Sequence, residues 1–525
     1  MSLVGIDLGT TYSAIAALDE RGRPFTVPNR DGEMLTPSAV LFAGDDVVVG
    51  QAALDVALEQ PGHVATLIKR RMGYDSYGSA VAGREFRPET LSAIVLRKLV
   101  QDAERHLGPI RQAVITVPAY FDDTRRKATH DAGRIAGLDV IDILDEPSAA
   151  ALAYSFQHAR VGQAVPDAAL RQAQPDLQSS VVLVYDLGGG TFDATLVRLS
   201  KRHFQTVAIE GDVRLGGKDW DDRIVNHVAA QFLQTHGSDP RTDPQSLVLL
   251  QSAAERGKRT LSKLPQTSLT CTHAGKVLSV PLTRTDFEGL TRDLLTRTRL
   301  TVMQLLRSAG LGWEQVDRVL LVGGSTHMPM TGHMLLELSG KEPDHSLAVS
   351  EVVARGAALH AGIVAARSGE SPEGLSEAAR DELADVVEVN VIAHSLGVEV
   401  RHQGQRINDV LIRKNTQLPA SDARVYRTVA PNQRRVRVKV LQGEAHQADA
   451  CIPIGECWID DLPPDLPVNS PVQVQCGCAS NGLVEVLAVD MTSGARAKAT
   501  IHRTSGLSDE EIAREAAFVR GLKIL

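Results

Sequence analysis

Two aspartates flank a run of three glycines in the middle of the chain, and together they could bind a phosphate and a cation. Asp186 ends an apolar segment, and Asp193 follows the glycines at 188–190. Consecutive glycines favour a tight turn whose backbone N–H groups can approach a ligand closely, and a row of such groups suits a phosphate. A carboxylate on each side can hold a hydrated cation against that phosphate. One such turn is a weak signal, because glycine-rich turns are common.

A second stretch near the N-terminus repeats the design. Apolar residues lead to Asp7, and a leucine, a glycine and two threonines follow at 8–11. Two phosphate turns of one kind in one chain indicate an internal duplication, and we expect them to face each other across a cleft. The alternative is a pair of unrelated turns.

Two further charged residues could take part in phosphate chemistry. Lys69 lies beside an apolar stretch, and an ammonium is a compact charge suited to a terminal phosphate or its attacking water. The alternative is a solvated lysine, which the sequence alone favours. Glu146 lies at the end of a predicted strand, and open α/β sheets bind ligands at the carboxyl ends of their strands.

Polar residues also recur at helical spacing in a predicted helix at 245–262. Glu255, Lys258 and Ser262 share one face of it. Taken alone, this pattern is typical of a solvated stripe. Two more glycine turns lie within 213–220 and 319–327.

The composition is that of an ordinary globular protein. The 525 residues are 43% hydrophobic and 23% charged, with a net charge of −8, which does not favour nucleic-acid binding. No apolar run in the sequence suffices to span a bilayer, and we see no signal or transit segment before the first predicted strand. With five cysteines in all, these features favour the cytoplasm.

Four of those cysteines fall in one short region. A zinc or redox site is one interpretation, but zinc sites more often show a Cys-x-x-Cys spacing, which is not found here. Buried cysteines on strands are the favoured interpretation. The four are Cys451, Cys457, Cys476 and Cys478.

The elements that must position these residues change in character along the chain. Strands alternate with helices in the first two thirds, whereas polar and apolar residues alternate singly from 391 onward, as at 435–440. The second pattern predicts a β-sandwich of about eight strands, so we expect a multidomain fold, α/β followed by β. The predicted boundaries are 1–180 and 181–368 for two α/β lobes, 369–390 for a boundary helix and linker, 391–506 for the sandwich, and 507–525 for a C-terminal helix that runs to the chain end.

Together the motifs resemble those of the DnaK-type heat-shock chaperones. The stretch at 69–99, GVEV (397–400) and LKI (522–524) are most similar to the bacterial HscC branch. The matching motifs are IDLGTTYS (6–13), ITVPAYFDD (115–123), DEPSAAALAY (145–154), YDLGGGTFD (185–193), LGGKDWD (215–221), LVGGSTHMPM (321–330), SLGVEV (395–400) and VLQGE (440–444).

The resemblance implies a two-lobed, actin-like (ribonuclease H-like) ATPase followed by a β-sandwich that binds extended peptides. Such a protein is an ATP-dependent chaperone, in which ATP hydrolysis to ADP and phosphate is coupled to binding of unfolded polypeptides. The implied cofactors are ATP or ADP, Mg²⁺ and K⁺. Asp7 and Asp186 would hold hydrated magnesium.

The family motifs also imply roles for individual residues. Lys69, Glu146 and Asp193 would surround the hydrolytic water, with Thr191 at the γ-phosphate. Pro118 and Arg126 would relay nucleotide state to the peptide-binding domain. The implied nucleotide contacts are Thr10, Thr11, Tyr12, Gly188, Gly189, Gly216, Gly217, Glu255, Lys258, Arg259, Ser262, Gly323, Gly324, Ser325 and His327, and the implied peptide contacts are Arg401, Tyr426, Val429 and Val436.

Several positions depart from the family pattern in the ATPase part. His327 replaces an arginine that packs on adenine, which predicts weaker nucleotide retention, and the short loop at 266–276 predicts that an exchange factor is dispensable. Asp142 stands where an arginine contacts J-domain co-chaperones, and Asp145 replaces an asparagine, so a dedicated co-chaperone is expected. Glu388 interrupts the aliphatic linker.

The peptide-binding part departs as well. Arg401 and Val429 replace the small apolar arch over the bound peptide, whereas Val436 keeps the central pocket apolar. The chain ends one helix into the helical lid, so we expect fast peptide exchange in either nucleotide state.

Three functions remain open at this point. The first is the ATP-driven chaperone, a monomer without nucleic-acid or membrane partners. The second is a nucleotide-gated scaffold or regulator that binds one dedicated protein. The third, a sugar kinase or an actin-like filament protein, is disfavoured by the sandwich.

Overall fold

The computed structural model describes residues 2–44, 46–164, 179–200, 202–344, 346, 348–369, 374–460, 462–479, 484–492, 494, 496–500 and 506–525. Within these residues, no helix combines the length and the apolar character that a membrane crossing requires.

The first α/β unit is built on a sheet of order β3-β2-β1-β8-β9, in which β4 also pairs with β2. Strand β8 runs parallel to both β1 and β9, whereas β2 is antiparallel to β1 and β3. Strands β5, β6 and β7 form a smaller sheet. The elements are β1 (Ser2–Asp7), β2 (Tyr12–Leu18), β3 (Pro24–Thr26), β4 (Thr36–Pro37), β5 (Val40–Ala43), β6 (Asp46–Val49), β7 (Val64–Ala65), β8 (Ile110–Val117), β9 (Asp139–Asp145), α1 (Gln51–Ala57), α2 (Pro88–Leu107), α3 (Asp123–Ala136) and α4 (Glu146–Ala164).

The second α/β unit has a sheet of order β15-β10-β11-β12-β16. A two-stranded sheet of β13 and β14 lies beside it. Its elements are β10 (Ser180–Leu187), β11 (Phe192–Ser200), β12 (His203–Asp212), β13 (Gln266–His273), β14 (Lys276–Thr283), β15 (Arg318–Val322), β16 (Val387–Val389), α5 (Gly217–His236), α6 (Pro244–Lys263), α7 (Arg284–Leu290), α8 (Arg292–Ala309), α9 (Pro329–Ser339), α10 (Val352–Ser368) and α11 (Glu377–Ala384).

The two sheets repeat one arrangement. Strands β10 and β11 form an antiparallel pair, β12 continues it antiparallel, and β15 joins β10 parallel. The same relations hold for β1, β2, β3 and β8. This repeat agrees with the internal duplication that the two phosphate turns indicate. Helix α10 connects the units, because it packs on β1 and α4 of the first unit and shares a core with Val182 and Val184 of β10.

A β-sandwich follows, made of two four-stranded sheets of order β18-β17-β20-β21 and β19-β22-β23-β24. Buried and exposed residues alternate along β22, as the period-two pattern predicts. All five cysteines of the chain are buried, and none of them forms a disulfide bond. The described residues contain no group of three or more His, Cys, Asp or Glu that could hold a metal ion. The strands are β17 (Leu396–His402), β18 (Gln405–Ile412), β19 (Ala420–Arg427), β20 (Val436–Gln442), β21 (Ile452–Ile459), β22 (Pro471–Cys478), β23 (Val484–Asp490) and β24 (Arg496–Thr500).

The segment between the second unit and the sandwich is an edge strand. Strand β16 runs parallel to β12, with Glu388 opposite Phe204. The sandwich then touches both units. Gln442 Oε1 on β20 accepts a hydrogen bond of 3.0 Å from the N–H of Asp123 on α3 of the first unit, and two contacts reach β12 of the second unit. Lys414 forms an ion pair with the buried Glu210, and Asn415 Oδ1 accepts a hydrogen bond of 3.0 Å from the N–H of Ile209. The linker and the sandwich are therefore docked on the α/β units.

The C-terminal segment folds back onto the first unit. Helix α12 (Asp509–Gly521) packs on α3, and Thr90 Oγ1 donates to Glu515 at 2.8 Å. The predicted helix to the chain end is wrong in its last residues, because the helix ends at Gly521. Strand β25 (Lys523–Ile524) then pairs parallel with β6, since the open edge of β6 supplies backbone partners that a further helical turn would lack.

Candidate functional site

The two phosphate turns meet where β1 and β10 end. Asp186 on β10 lies directly opposite Asp193 on β11. The side chain of Thr11 lies against the backbone of Gly189, and that of Thr10 against Gly190, so closely that a Cβ on either glycine would come within 2.8 Å of a threonine oxygen. The structure thus brings together the two turns that sequence analysis paired.

A third turn, at the start of α5, lies directly on the triple-glycine turn. The N–H of Gly217 donates to the carbonyl of Gly188 at 2.9 Å. A Cβ on Gly216 would lie 2.5 Å from the Cα of Gly190 and 2.6 Å from its carbonyl carbon. Only hydrogen fits there, so the glycine is required by close backbone contact.

Lys69 and Glu146 form a buried ion pair beside these turns. Lys69 lies on a short 3₁₀ helix (Ile68–Arg71), and Glu146 is the first residue of α4, after β9. Asp193 is 1% exposed, and burial together with the charge of Glu146 raises its pKa to about 8. A lysine and two carboxylates therefore share one dry site. Thr191, on the same turn, is also buried.

Asp7 and Asp186 complete the acidic cluster. Burial and then Glu146 raise the pKa of Asp7 to about 7, and burial with the neighbouring carboxylates raises the pKa of Asp186 well above its ordinary range. Such crowding favours a bound cation, and oxygen ligands suit Mg²⁺. Mg²⁺ usually keeps several of its waters and binds through one or two carboxylates, so Asp7 and Asp186 fit a hydrated ion, and the described residues contain no group of three or more His, Cys, Asp or Glu that could hold a metal ion.

Three neighbours of the cluster were missed by sequence analysis. Thr116 Oγ1 on β8 donates to Asp7 at 3.1 Å, and the N–H of Tyr120 donates to Asp193 at 3.0 Å. Arg70 Nε donates to the carbonyl of Gly190 at 3.2 Å, and thereby ties the first unit to the triple-glycine turn. Thr116 and Tyr120 both lie within the family motif at 115–123, but no spacing rule predicts that they donate hydrogen bonds to carboxylates.

The polar face of α6 is only partly free for a ligand. Lys258 is buried, lies 2.8 Å from Asp221 and donates to the carbonyl of Gly217 at 3.0 Å. Arg259 pairs with Glu255 and donates to the hydroxyl of Tyr12 at 3.0 Å. The remaining member of the face is Ser262, whose hydroxyl donates a hydrogen bond of 3.1 Å to the carbonyl of Lys258.

The glycine turn after β15 completes the surroundings. Gly323 has a φ of +83°, and Ser325 Oγ donates to the carbonyl of Gly188 at 2.9 Å. Gly324 and His327 are exposed. The turn thus contacts the triple-glycine turn through Ser325 and leaves His327 at the surface.

Pro118 and Arg126 both contact the segment 119–121, in which the N–H of Tyr120 donates to Asp193. Arg126 pairs with the buried Asp145 and donates to the carbonyl of Ala119 at 3.1 Å. Burial would lower the pKa of Arg126, but Asp145 raises it. Pro118 follows β8 directly, and its carbonyl accepts the N–H of Phe121 at 3.0 Å.

The predicted peptide-contacting residues lie far along the chain, on the sandwich. Tyr426 and Val436 pack half-buried on the sandwich core, and the Tyr426 hydroxyl donates to Asp409 at 2.9 Å. Arg401 and Val429 are exposed, the valine to 75%. Sequence analysis thus named two residues on the core and two on the surface.

Comparison with known proteins identifies the family of this chain. The family model described as Hsp70 protein matches residues 3–82 and 76–519. Chaperone protein DnaK from two strains of Halobacterium salinarum is 39% identical to this chain over 518 residues, which cover 97% of this chain and 76% of the relative. This chain therefore belongs to the Hsp70 family.

Proposed function

We propose that this Hsp70 family chain, an ATP-dependent chaperone with ATPase activity, hydrolyses ATP between its two α/β units and uses the β-sandwich to bind extended peptides. The two units would be the lobes of an actin-like ATPase, with the boundaries predicted from the sequence. Whether the linker and the sandwich are docked would then depend on which nucleotide is bound in the cleft.

One residue carries this proposal, because Tyr120 touches both ends of the coupling. Its N–H donates to Asp193, a member of the acidic cluster. Its ring packs against the ring of His394 at a tilt of 59°, with centroids 4.3 Å apart, and its carbonyl lies 3.1 Å from His394 Nε2. His394 lies between the linker strand and β17. A displacement of the sandwich is thus transmitted to a carboxylate of the site through one residue.

The residues of the site suit phosphoryl transfer, which depends on positioning and charge neutralisation. Asp193 and Glu146 would orient the attacking water, and Lys69 would neutralise charge near the γ-phosphate. Thr10, Thr11 and Thr191 would contact phosphate oxygens. When bound at Asp7 and Asp186, hydrated Mg²⁺ would supply further neutralisation of those oxygens, and K⁺ is proposed beside it.

The docked arrangement corresponds to the state that we expect ATP to favour. Release of ATP's γ-phosphate would free the linker and tighten peptide binding. We propose that the chain has a dedicated J-domain partner, since Asp142 and Asp145 change the surface that such a partner would contact. We also propose that it needs no exchange factor, is a monomer and is located in the cytoplasm.

Peptide affinity measured in ADP and in ATP tests the proposal. An array of extended peptides should bind broadly in ADP, and replacement of ADP by ATP should weaken binding at least threefold. Asp193→Asn should bind ATP, with hydrolysis reduced at least 100-fold. Asp381→Asn, an exposed change on α11, serves as the control. Binding of one protein only, or binding equal in both nucleotides, would favour the scaffold and reject the chaperone cycle.

A further inference from the structure

His360 joins three segments that lie far apart in the sequence. Its Nε2 lies 2.8 Å from Asp142 on β9, and its Nδ1 lies 2.9 Å from Glu388 on the linker strand β16. The imidazole itself belongs to α10. Its side chain is 7% exposed, that of Glu388 14% and that of Asp142 28%. A ring on the connecting helix therefore spans from the first unit to the linker.

The geometry defines the protonation state of this ring. Each ring nitrogen lies within hydrogen-bond distance of a carboxylate oxygen, and an ionised carboxylate only accepts hydrogen bonds. Both nitrogens must therefore donate, which only the imidazolium can do. The ring then supplies the one positive charge between two carboxylates, and charge-assisted hydrogen bonds of this kind are the strong ones.

The linker needs such a partner. Strand β16 pairs with β12 over only three residues, and Val387 is 43% exposed. Glu388 points its carboxylate inward, and a buried carboxylate without a cation strongly disfavours the docked state. Two of the departures from the family pattern, Asp142 and Glu388, thus contact the same residue.

We propose that His360, charged and held between Asp142 and Glu388, is a positioning residue that fastens the linker strand in its docked state. This inference rests on the proposed coupling between nucleotide state and linker docking. When the linker leaves, Glu388 leaves with it and the imidazolium keeps a single carboxylate. The docked state is therefore the one that holds the proton more tightly.

The charged groups around His360 set the direction of the pH dependence. Burial alone would lower its pKa, but Glu388 and Asp142 raise it to about 10. Asp145 also lies close enough to feel the ring's charge, although Arg126 pairs with it. Arg367, on the same helix as His360, donates to the linker carbonyl of Val386.

The sign of the effect follows from this raised pKa. The contribution of His360 to docking is complete below the ordinary histidine pKa near 6.5, and it is lost as pH rises through about 10. Since Asp142 stays beside the ring after undocking, the window begins somewhat above 6.5. Within it, the ratio of docked to undocked protein should fall by up to about tenfold per pH unit.

Amide exchange of residues 385–391 in the full chain tests the inference at fixed nucleotide. His360→Gln and Glu388→Gln should each speed exchange there by about 10- to 100-fold, the range expected for a hydrogen bond to a charged group. The double variant should add less than threefold to either single variant, because both remove one interaction. Asp381→Asn removes a nearby exposed carboxylate and should exchange like the unchanged chain.

Two results would overturn the inference. One is exchange within twofold of the unchanged chain in both single variants, and the other is an additive double variant. Should His360→Gln fail to fold, Glu388→Gln and a pH series still test the inference. In the unchanged chain, amide exchange of residues 385–391, corrected for its intrinsic rate, should rise from about pH 7 to 10. In Glu388→Gln it should stay flat over the same range. A chain in which ATP and ADP give equal linker exchange would reject the proposed coupling, whereas the comparison among variants would still judge His360.

Discussion

A single methyl group added at Gly216 should disable ATP hydrolysis without unfolding the protein. Gly216 precedes α5 with a φ of −164°, which is extended backbone open to any residue. Gly216→Ala therefore introduces no backbone strain. The new Cβ would instead lie 2.5 Å from the Cα of Gly190, in the turn proposed to hold the phosphates.

The size of the effect follows from this distance. Ordinary contacts of a Cβ begin near 3.4 Å, so the two turns must separate by about 1 Å. Misplacement of reacting groups by about 1 Å can cost on the order of 100-fold in rate, which equals about 2.7 kcal/mol of transition-state stabilisation. We expect kcat/KM for ATP to fall by about that factor.

Single-turnover hydrolysis and thermal unfolding together make the measurement. Gly332→Ala is the matched control, because a Cβ on Gly332 meets no atom within 4 Å and the position lies inside α9, where alanine is favoured. The control should hydrolyse ATP at the unchanged rate. A Gly216→Ala protein with kcat/KM within threefold of the unchanged chain would show that the turn tolerates displacement, and the reasoning from close contact would fail.

Three further predictions concern buried charges. Lys69→Met should lower kcat by at least about 100-fold in single-turnover assays, and adding Glu146→Gln should cost little more, because the pair acts as a unit; additive losses would contradict this. Glu89 is 2% exposed, and burial raises its pKa from 4.5 to about 7, so its ionisation destabilises the fold as pH rises from about 4.5 to above 7. Glu89→Gln should therefore raise the free energy of unfolding by about 3 kcal/mol at pH 8 but by less than about 1 kcal/mol at pH 5, and equal gains at both pH values would refute this. Lys414→Ala leaves Glu210 buried and unpaired, so it should speed amide exchange of the linker about tenfold. An unchanged exchange rate would contradict the docked interface.

The phosphate turns could be predicted from the sequence because their chemistry is local. Consecutive glycines and a flanking carboxylate define a turn and its ligand class within a few residues, and Asp186 and Asp193 lie opposite each other simply because they flank one hairpin. The repetition at Asp7 added the second half of the site. The alternation of the sandwich strands is equally local.

The contacts between segments could not be predicted in this way. His360 meets Asp142 across 218 residues and Glu388 across 28, and each of the three alone is an ordinary polar residue. Lys258 shows the same limit, since helical spacing gives its face but not its ion pair with Asp221. Which long side chain reaches which partner depends on how the units dock, and that information is spread over the whole chain.

The pairing of β25 with β6 also sets an order in time during synthesis. Lys523 Nζ donates to Asp46 Oδ1 at 3.0 Å across 477 residues. At synthesis rates of roughly 5–20 residues per second, a separation of 477 residues means that β25 is synthesised about 25–95 s after β6. The edge of β6 stays unpaired during that time. An unpaired strand edge readily pairs with other chains. A ribosome that stalls within the sandwich would therefore hold this edge open, and the nascent chaperone would itself need protection.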